Sequence, residues 1–232
     1  MLGYEAYLYR FARFKIGNLE KDKKEGDFFA FMKLVKGDGI LLDVGANIGI
    51  MTYHLSKRFP NNQVLAIEPM PTNFIILKKI VDEYQLKNVE LIQEAVGDEV
   101  SEIEMVLPEQ GKVKMQGLAH VVHDSITEWN EGEKFKVKCN TLDEIAGDRK
   151  VEGIKMDIEN FEYFALKGGK KILERDKPVL YTELWENENR DQCFELMREL
   201  GYAIFVNQGG ELEAYDANKH QVQNFIFLHQ SK

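Results

Sequence analysis

Two rhythms alternate along most of this chain. Short runs led by apolar residues occur at Ile40-Leu41-Leu42-Asp43-Val44, Val64 to Glu68, Val89 to Asp98 (apolar, then polar, then small), Val151 to Glu159 and Pro178 to Trp185. Each is bounded by glycine, proline or polar clusters, the pattern of a buried strand. Between them lie stretches with apolar residues at helical spacing: Ile50 to Phe59, Thr72 to Tyr84 with Phe74, Leu77 and Val81 on one stripe, Phe161 to Arg175, and Asp191 to Leu200. Strand and helix in turn predict a mostly parallel sheet with helices on both faces, an α/β fold. Tyr202 to Asn207 and Asn224 to His229, separated by a glycine-rich turn, are expected to close the sheet as a hairpin with an antiparallel last strand.

Two regions depart from this rhythm. At the N-terminus, Tyr4, Tyr7, Leu8, Phe11 and Phe14 form an aromatic stripe at helical spacing. It fits a helix packed on the core or in a homodimer; a lid over a pocket or an amphipathic surface anchor also fits. Lys21 to Gly26 reads as a linker, and Asp27 is expected to cap a second helix with Phe28, Phe31, Met32 and Val35 inward, ending at Lys36-Gly37-Asp38-Gly39. This divides the chain into a helical extension, 1–36, and a main domain, 37–232. Between Ser101 and Asn140, short alternating runs (Ile103 to Leu107, Leu118 to Val122, Phe135 to Cys139) are separated by Pro108, Gly111, Gly117 and Gly132. Added antiparallel strands and loops are expected there.

The chemistry starts where the first strand ends. Asp43-Val44-Gly45-Ala46-Asn47-Ile48-Gly49 leads from a strand into a helix, and glycine at 45 and 49 lets backbone approach a ligand closely. The dinucleotide fingerprint needs glycine at the first, third and sixth places; Gly45, Asn47 and Ile50 meet only the first. A carboxylate at the strand end would repel pyrophosphate and suits a cationic or neutral nucleotide-like ligand, such as the sulfonium of S-adenosylmethionine. Glu68, followed by Pro69, ends the next strand 25 residues after Asp43, near the offset of a ribose-binding acid.

These residues also carry a resemblance. Asp43-Val-Gly-Ala-Asn-Ile-Gly49, Glu68-Pro69 with Asn73, Thr141-Leu142-Asp143 and Lys155-Met-Asp157-Ile-Glu159 resemble, in order, the motifs of FkbM-type methyltransferases. The resemblance runs from about residue 36 to the C-terminus. It implies a Rossmann-like class I methyltransferase fold, S-adenosylmethionine as cofactor, and an oxygen of a sugar or natural product as acceptor. It places Asp43, Gly45, Asn47, Gly49, Glu68, Pro69 and Asp157 at the cofactor, and Glu94, Ala95 and Val96 beside its adenine. Asn160 stands where the family commonly has glycine.

The acceptor side is sought at the later strand ends. On an extended strand Asp157 and Glu159 share a face and reach one pocket, and Glu183 ends a neighbouring strand at the same sheet edge. A carboxylate whose pKa is raised by burial or by a like charge can take a hydroxyl proton. The same acids with Glu183 could instead hold a divalent cation, but no third ligand sits at a telling spacing, so carboxylates acting without metal are the expectation. His120 and His123 fit either a general base or plain loop histidines, and Trp129 lies beside them.

Composition narrows the partners. With 232 residues, 44% hydrophobic, a net charge of -9 and 30% charged residues, the chain supports one sizeable core and has no basic surplus for nucleic acid or anionic membrane. Arg10, Arg13 and Lys15 interrupt the only apolar N-terminal stretch, so stable membrane insertion is not expected. Cys139 and Cys193 lack metal-like spacing and read as reduced thiols of a cytoplasmic protein. The expectation is therefore a methyltransferase acting on a small-molecule hydroxyl. A nicotinamide-dependent oxidoreductase sharing the glycine turn, and a nucleotide-binding domain without catalysis, are the alternatives.

Overall fold

The computed structural model describes residues 3–110, 113–114, 119–123 and 131–231. Trp129, Gly111, Gly117 and Leu118 lie outside them. Helices α1 (Tyr4–Asn18) and α2 (Gly26–Leu34) precede β1 (Ile40–Val44), α3 (Ile50–Arg58), β2 (Val64–Ile67), α4 (Pro71–Glu83) and β3 (Val89–Ile92). Then come the short strands β4 (Ala95–Val96), β5 (Ser101–Gln110), β6 (Val113–Lys114), β7 (His120–Val121) and β8 (Gly132–Asn140). The chain closes with α5 (Leu142–Ala146), β9 (Val151–Met156), α6 (Glu162–Lys167), α7 (Lys170–Asp176), β10 (Val179–Glu183), α8 (Glu188–Glu199), β11 (Tyr202–Gln208), β12 (Glu211–Ala214) and β13 (Asn224–His229).

Eight strands form one sheet in the order β12-β11-β13-β10-β9-β1-β2-β3. The five from β10 to β3 are parallel, whereas β13 runs antiparallel between β10 and β11. Because helices cover both faces, all five positions of β1 are buried, which is why its sequence is apolar without alternation. Leu42, Val44, Ile154 and Leu180 face one core with Leu142, Leu166, Leu173 and Phe194. Leu41, Val64 and Tyr181 face the other, against Phe28, Phe31 and Leu55. In a second, smaller sheet, β4-β8-β5-β6 with β7 on β5, the strands between Ser101 and Asn140 pair antiparallel as expected, and β4 joins β8 in parallel.

Several local expectations change. Pro108 does not break its strand; it sits in β5 opposite Gly132, the first residue of β8. Phe161 to Arg175 forms two helices, because Gly168 and Gly169 pack too tightly for side chains: a Cβ at Gly168 would lie 2.1 Å from the Gly97 carbonyl oxygen. Asp27 lies inside the first turn of α2, its carboxyl bonded to Asn207 and Asn224, and Asp22 caps the short 3-10 turn before it. Asp157 and Glu159 lie beyond the end of β9, not on it. Strand β12, Glu211-Leu-Glu-Ala214, is too short and too acidic for hydrophobic patterning to show it, although Leu212 packs on a core.

Helix α1 does pack on the core, but of its predicted stripe only Leu8 takes part. Leu8, Ala12 and Ile16 pack on Ile48, Ile76 and Ile80, while Tyr4, Tyr7, Phe11 and Phe14 are exposed.

Candidate active site

The parallel strands end at one edge, and the site is built there. Gly45, Asn47 and Gly49 have φ of 75°, 50° and 85°, the left-handed region that a sharp strand-to-helix turn demands. A Cβ on Gly45 would lie 1.9 Å from the Asp157 carbonyl oxygen, and one on Gly49 2.9 Å from Leu77 Cδ1. The turn is thus pressed against the segment after β9 on one side and against α4 on the other.

Two buried ionic groups hold the turn. Asp43 is fully buried; its Oδ2 accepts from the Thr52 hydroxyl at 2.6 Å, and its Oδ1 lies 3.4 Å from Lys155 Nζ. Lys155 also donates to the Gly45 carbonyl at 2.9 Å. Burial opposes its charge, yet Asp43 and Asp157 outweigh that and raise its pKa. Asp43 lines neither this turn's cavity nor the one beside it, and its carboxylate holds the glycine turn in place.

Glu68 ends β2 as a buried carboxylate. Oε1 accepts from Met70 N at 2.9 Å and Asn73 Nδ2 at 3.3 Å, and Oε2 accepts from Asn47 N at 2.8 Å. Burial pushes its pKa up to about 7 against the pull of these donors. A carboxylate has roughly four acceptor positions, so one on Oε2 is left for a ligand hydroxyl.

A cavity opens between these groups, with about 610 Å³ of empty space counted out to its open mouth. Its walls include Gly45, Asn47, Glu68, Pro69, Glu94, Ala95, Val96, Asp157 and Glu159, so residues that follow four different strands converge on it. Gly49 stays behind the turn. The Glu94 carboxylate accepts from Asn140 Nδ2 at 3.1 Å, which ties β8 to this wall. Met70, Asn73, Met105, Ala119, Val121 and Phe161 also line it. Sequence reading missed the apolar part of this set, because Met105 and Val121 reach the cavity through the second sheet and carry no local signal.

Beyond β9, Glu159 and Asn160 adopt φ of 54° and 73°. This bend takes the place of the extended strand end and still brings both Asp157 and Glu159 to the cavity wall. Asparagine tolerates the left-handed region better than most residues, and here its Oδ1 accepts from Asn187 Nδ2 at 2.8 Å while its carbonyl accepts from Asn189 Nδ2 at 2.9 Å. Burial first, then Asp157, Glu162 and Glu183, raise the Glu159 pKa to about 9. Glu183 ends β10 near enough to Asp157 for burial and that charge to raise its own pKa, but it does not line the cavity. His120 is buried in β7, and His123 packs its ring 4.7 Å from Phe164; neither lines the cavity. Among the described residues no group of three His, Cys, Asp or Glu side chains is disposed to hold a metal ion.

The residues fit S-adenosylmethionine: bare glycine backbone for a close approach, a buried carboxylate with one acceptor position for a ribose hydroxyl, apolar walls for a base, and carboxylates Asp157 and Glu159 near a positive centre. Comparison with known proteins agrees. A curated relative, Methyltransferase 1 of Beauveria bassiana, is 23% identical over 145 residues, 56% of this chain and 58% of its own length. A solved FkbM methyltransferase from Methylobacillus flagellatus KT superposes with a TM-score of 0.56 at 16% identity, over 85% of this chain and 45% of that one. A SAM-dependent O-methyltransferase from Thermotoga maritima has the same fold, with a TM-score of 0.51 at 12% identity over 93% of this chain and 69% of that one. This chain thus spans about half the length of its first two relatives. The family model described as the methyltransferase FkbM domain matches residues 43–215, from the buried aspartate of the glycine turn to beyond β12, and the chain belongs to that family.

Proposed function

We propose that this protein transfers the methyl group of S-adenosylmethionine to a hydroxyl oxygen of a small polar acceptor, a sugar or natural-product-like molecule. The observation that carries the reading is the placement of two carboxylates, Asp157 and Glu159, on the wall of the cavity that also holds Glu68 and the glycine turn. When bound, the cofactor supplies a methyl group made electrophilic by its sulfonium. Glu68 receives a ribose hydroxyl on Oε2, and Glu94, Ala95 and Val96 flank the base. The acceptor hydroxyl is held by Asp157 and Glu159 in line with the methyl carbon. As the oxygen forms its bond to that carbon, the hydroxyl proton passes to the Glu159 carboxylate, and the carbon–sulfur bonding pair remains with the neutral thioether product.

The raised pKa of Glu159 serves this role in two stages. Without a neighbouring positive charge the carboxyl is protonated at neutral pH. A sulfonium placed beside it favours the carboxylate, so the base is generated as the donor binds. Binding of S-adenosylmethionine near pH 8 should therefore release more protons than binding of uncharged S-adenosylhomocysteine, measurable by calorimetry in buffers of different ionisation enthalpy.

The decisive test combines binding with turnover. Calorimetry should detect S-adenosylhomocysteine and not NAD, and labelled methyl should pass to a hydroxyl in a panel of glycosides and phenols. Glu159→Gln should lower kcat by about 10²-fold or more while leaving S-adenosylhomocysteine affinity within threefold, as expected for loss of a general base. Uptake of NAD alone would overturn the reading in favour of a nicotinamide enzyme. Donor binding with no transfer to any acceptor would favour a binding domain.

A further inference from the structure

Beside the donor cavity lies a second one, of about 930 Å³, whose outer wall is α1. The two cavities have Gly45, Asn47 and Asp157 in common, so they meet where the glycine turn touches the segment after β9. Tyr4, Tyr7 and Phe11 line the second cavity from α1. Their rings form a row: Tyr4 and Tyr7 have centroids 6.4 Å apart and planes 22° from parallel, and Tyr7 and Phe11 are 6.3 Å apart at 18°. Tyr7 is 58% exposed and Phe11 41%, although the adjoining stripe of α1, through Leu8, Ala12 and Ile16, already secures the helix. Packing therefore does not account for these rings.

We propose that the α1 ring row is the acceptor platform, and that the acceptor is a pyranose ring. The inference rests on the methyl-transfer reading and deepens it. A pyranose has an axial C–H face, which stacks on aromatic carbon, and a rim of hydroxyls, which needs hydrogen-bonding groups around it. The cavity offers both. Tyr7 and Phe11 supply a flattened apolar wall, and Lys15, Glu25 and Asp157 supply charged donors and acceptors around it. A ring stacked there directs one edge hydroxyl toward the shared junction at Asp157, where the donor cavity begins.

The probe is methyl α-D-glucopyranoside or methyl α-D-mannopyranoside in saturation-transfer NMR, with the full chain alone and loaded with S-adenosylhomocysteine. Transfer to the ring C–H protons is expected in the wild type, and about tenfold less in Tyr7→Ala/Phe11→Ala, with S-adenosylhomocysteine affinity unchanged by calorimetry. Both substitutions are at exposed helical positions where alanine is a strong helix former, so folding is retained. Tyr7→Trp should restore the signal, which a merely structural role would not predict. If S-adenosylhomocysteine binds but no glycoside signal appears, or the signal survives the double substitution, the platform is refuted while the donor site stands. A change from dimer to monomer in sedimentation with an unaltered glycoside signal would refute it in favour of a second copy of the chain. If S-adenosylhomocysteine itself does not bind, the donor reading fails and the inference with it.

Discussion

Glu68 shows how little freedom a single site residue has. Its two oxygens already take three N–H donors, so its remaining acceptor position is the only one it can offer a ribose. Glu68→Gln would set an amide N–H against Asn47 N or Met70 N, and S-adenosylhomocysteine affinity should fall by roughly 10- to 100-fold by calorimetry. With its pKa near 7, the wild-type carboxylate also gains a proton and loses that acceptor as pH falls, so affinity should decline below about pH 7. Asn160 is the complementary case, a left-handed residue that its surroundings accommodate. Asn160→Ala keeps the left-handed strain and removes the bond from Asn187, and should cost about 1–2 kcal/mol in denaturant unfolding. Asn160→Gly removes the same bond and the strain together and should be closer to neutral. The left-handed bend already at Glu159 was not legible in the strand pattern, which predicted extension up to that residue.

Among elements, the start of α6 controls the acidic segment after β9. Glu162 is buried in the first turn of α6, and its Oε1 accepts from Ile158 N at 3.0 Å, pinning the backbone between Asp157 and Glu159. Burial, partly offset by backbone N–H donors, raises its pKa to about 7 from 4.5. A carboxyl whose pKa is raised on folding binds the extra proton in the native state. Its contribution is fully present below about pH 4.5, declines as pH rises, and is gone above about pH 7, a loss of order 3 kcal/mol. In Glu162→Gln this dependence is absent, so its Tm should fall less steeply than that of the wild type between pH 5 and 7. Equal slopes in the two proteins would remove Glu162 from this role. The break between α6 and α7 belongs to the same scale: an apolar stripe ran through Gly168-Gly169, but close passage past Gly97 and Leu142 splits the helix.

Seen whole, the molecule joins a cavity at the edge of the parallel strands, an aromatic-walled neighbour and a second sheet whose Met105 and Val121 line the first cavity. Ligand that binds only the folded chain adds to its stability by mass action, about 2.7 kcal/mol at a hundredfold excess over Kd. For a chain of 232 residues S-adenosylhomocysteine at that excess should raise Tm by roughly 5–10 °C in calorimetry, while NAD should not. The sequence alone determined the alternation of strand and helix, the glycine turn and the acids that end β1, β2, β9 and β10, because strand burial and tight backbone turns are local demands written into consecutive residues. Tertiary structure alone decided that Asp43 is committed to Lys155 and Thr52, that Met105 and Val121 wall the donor cavity, and that the aromatic face of α1 turns outward beside it. Those facts depend on contacts between residues far apart in the chain, and hydrophobic periodicity records whether a side chain is buried but not what it meets.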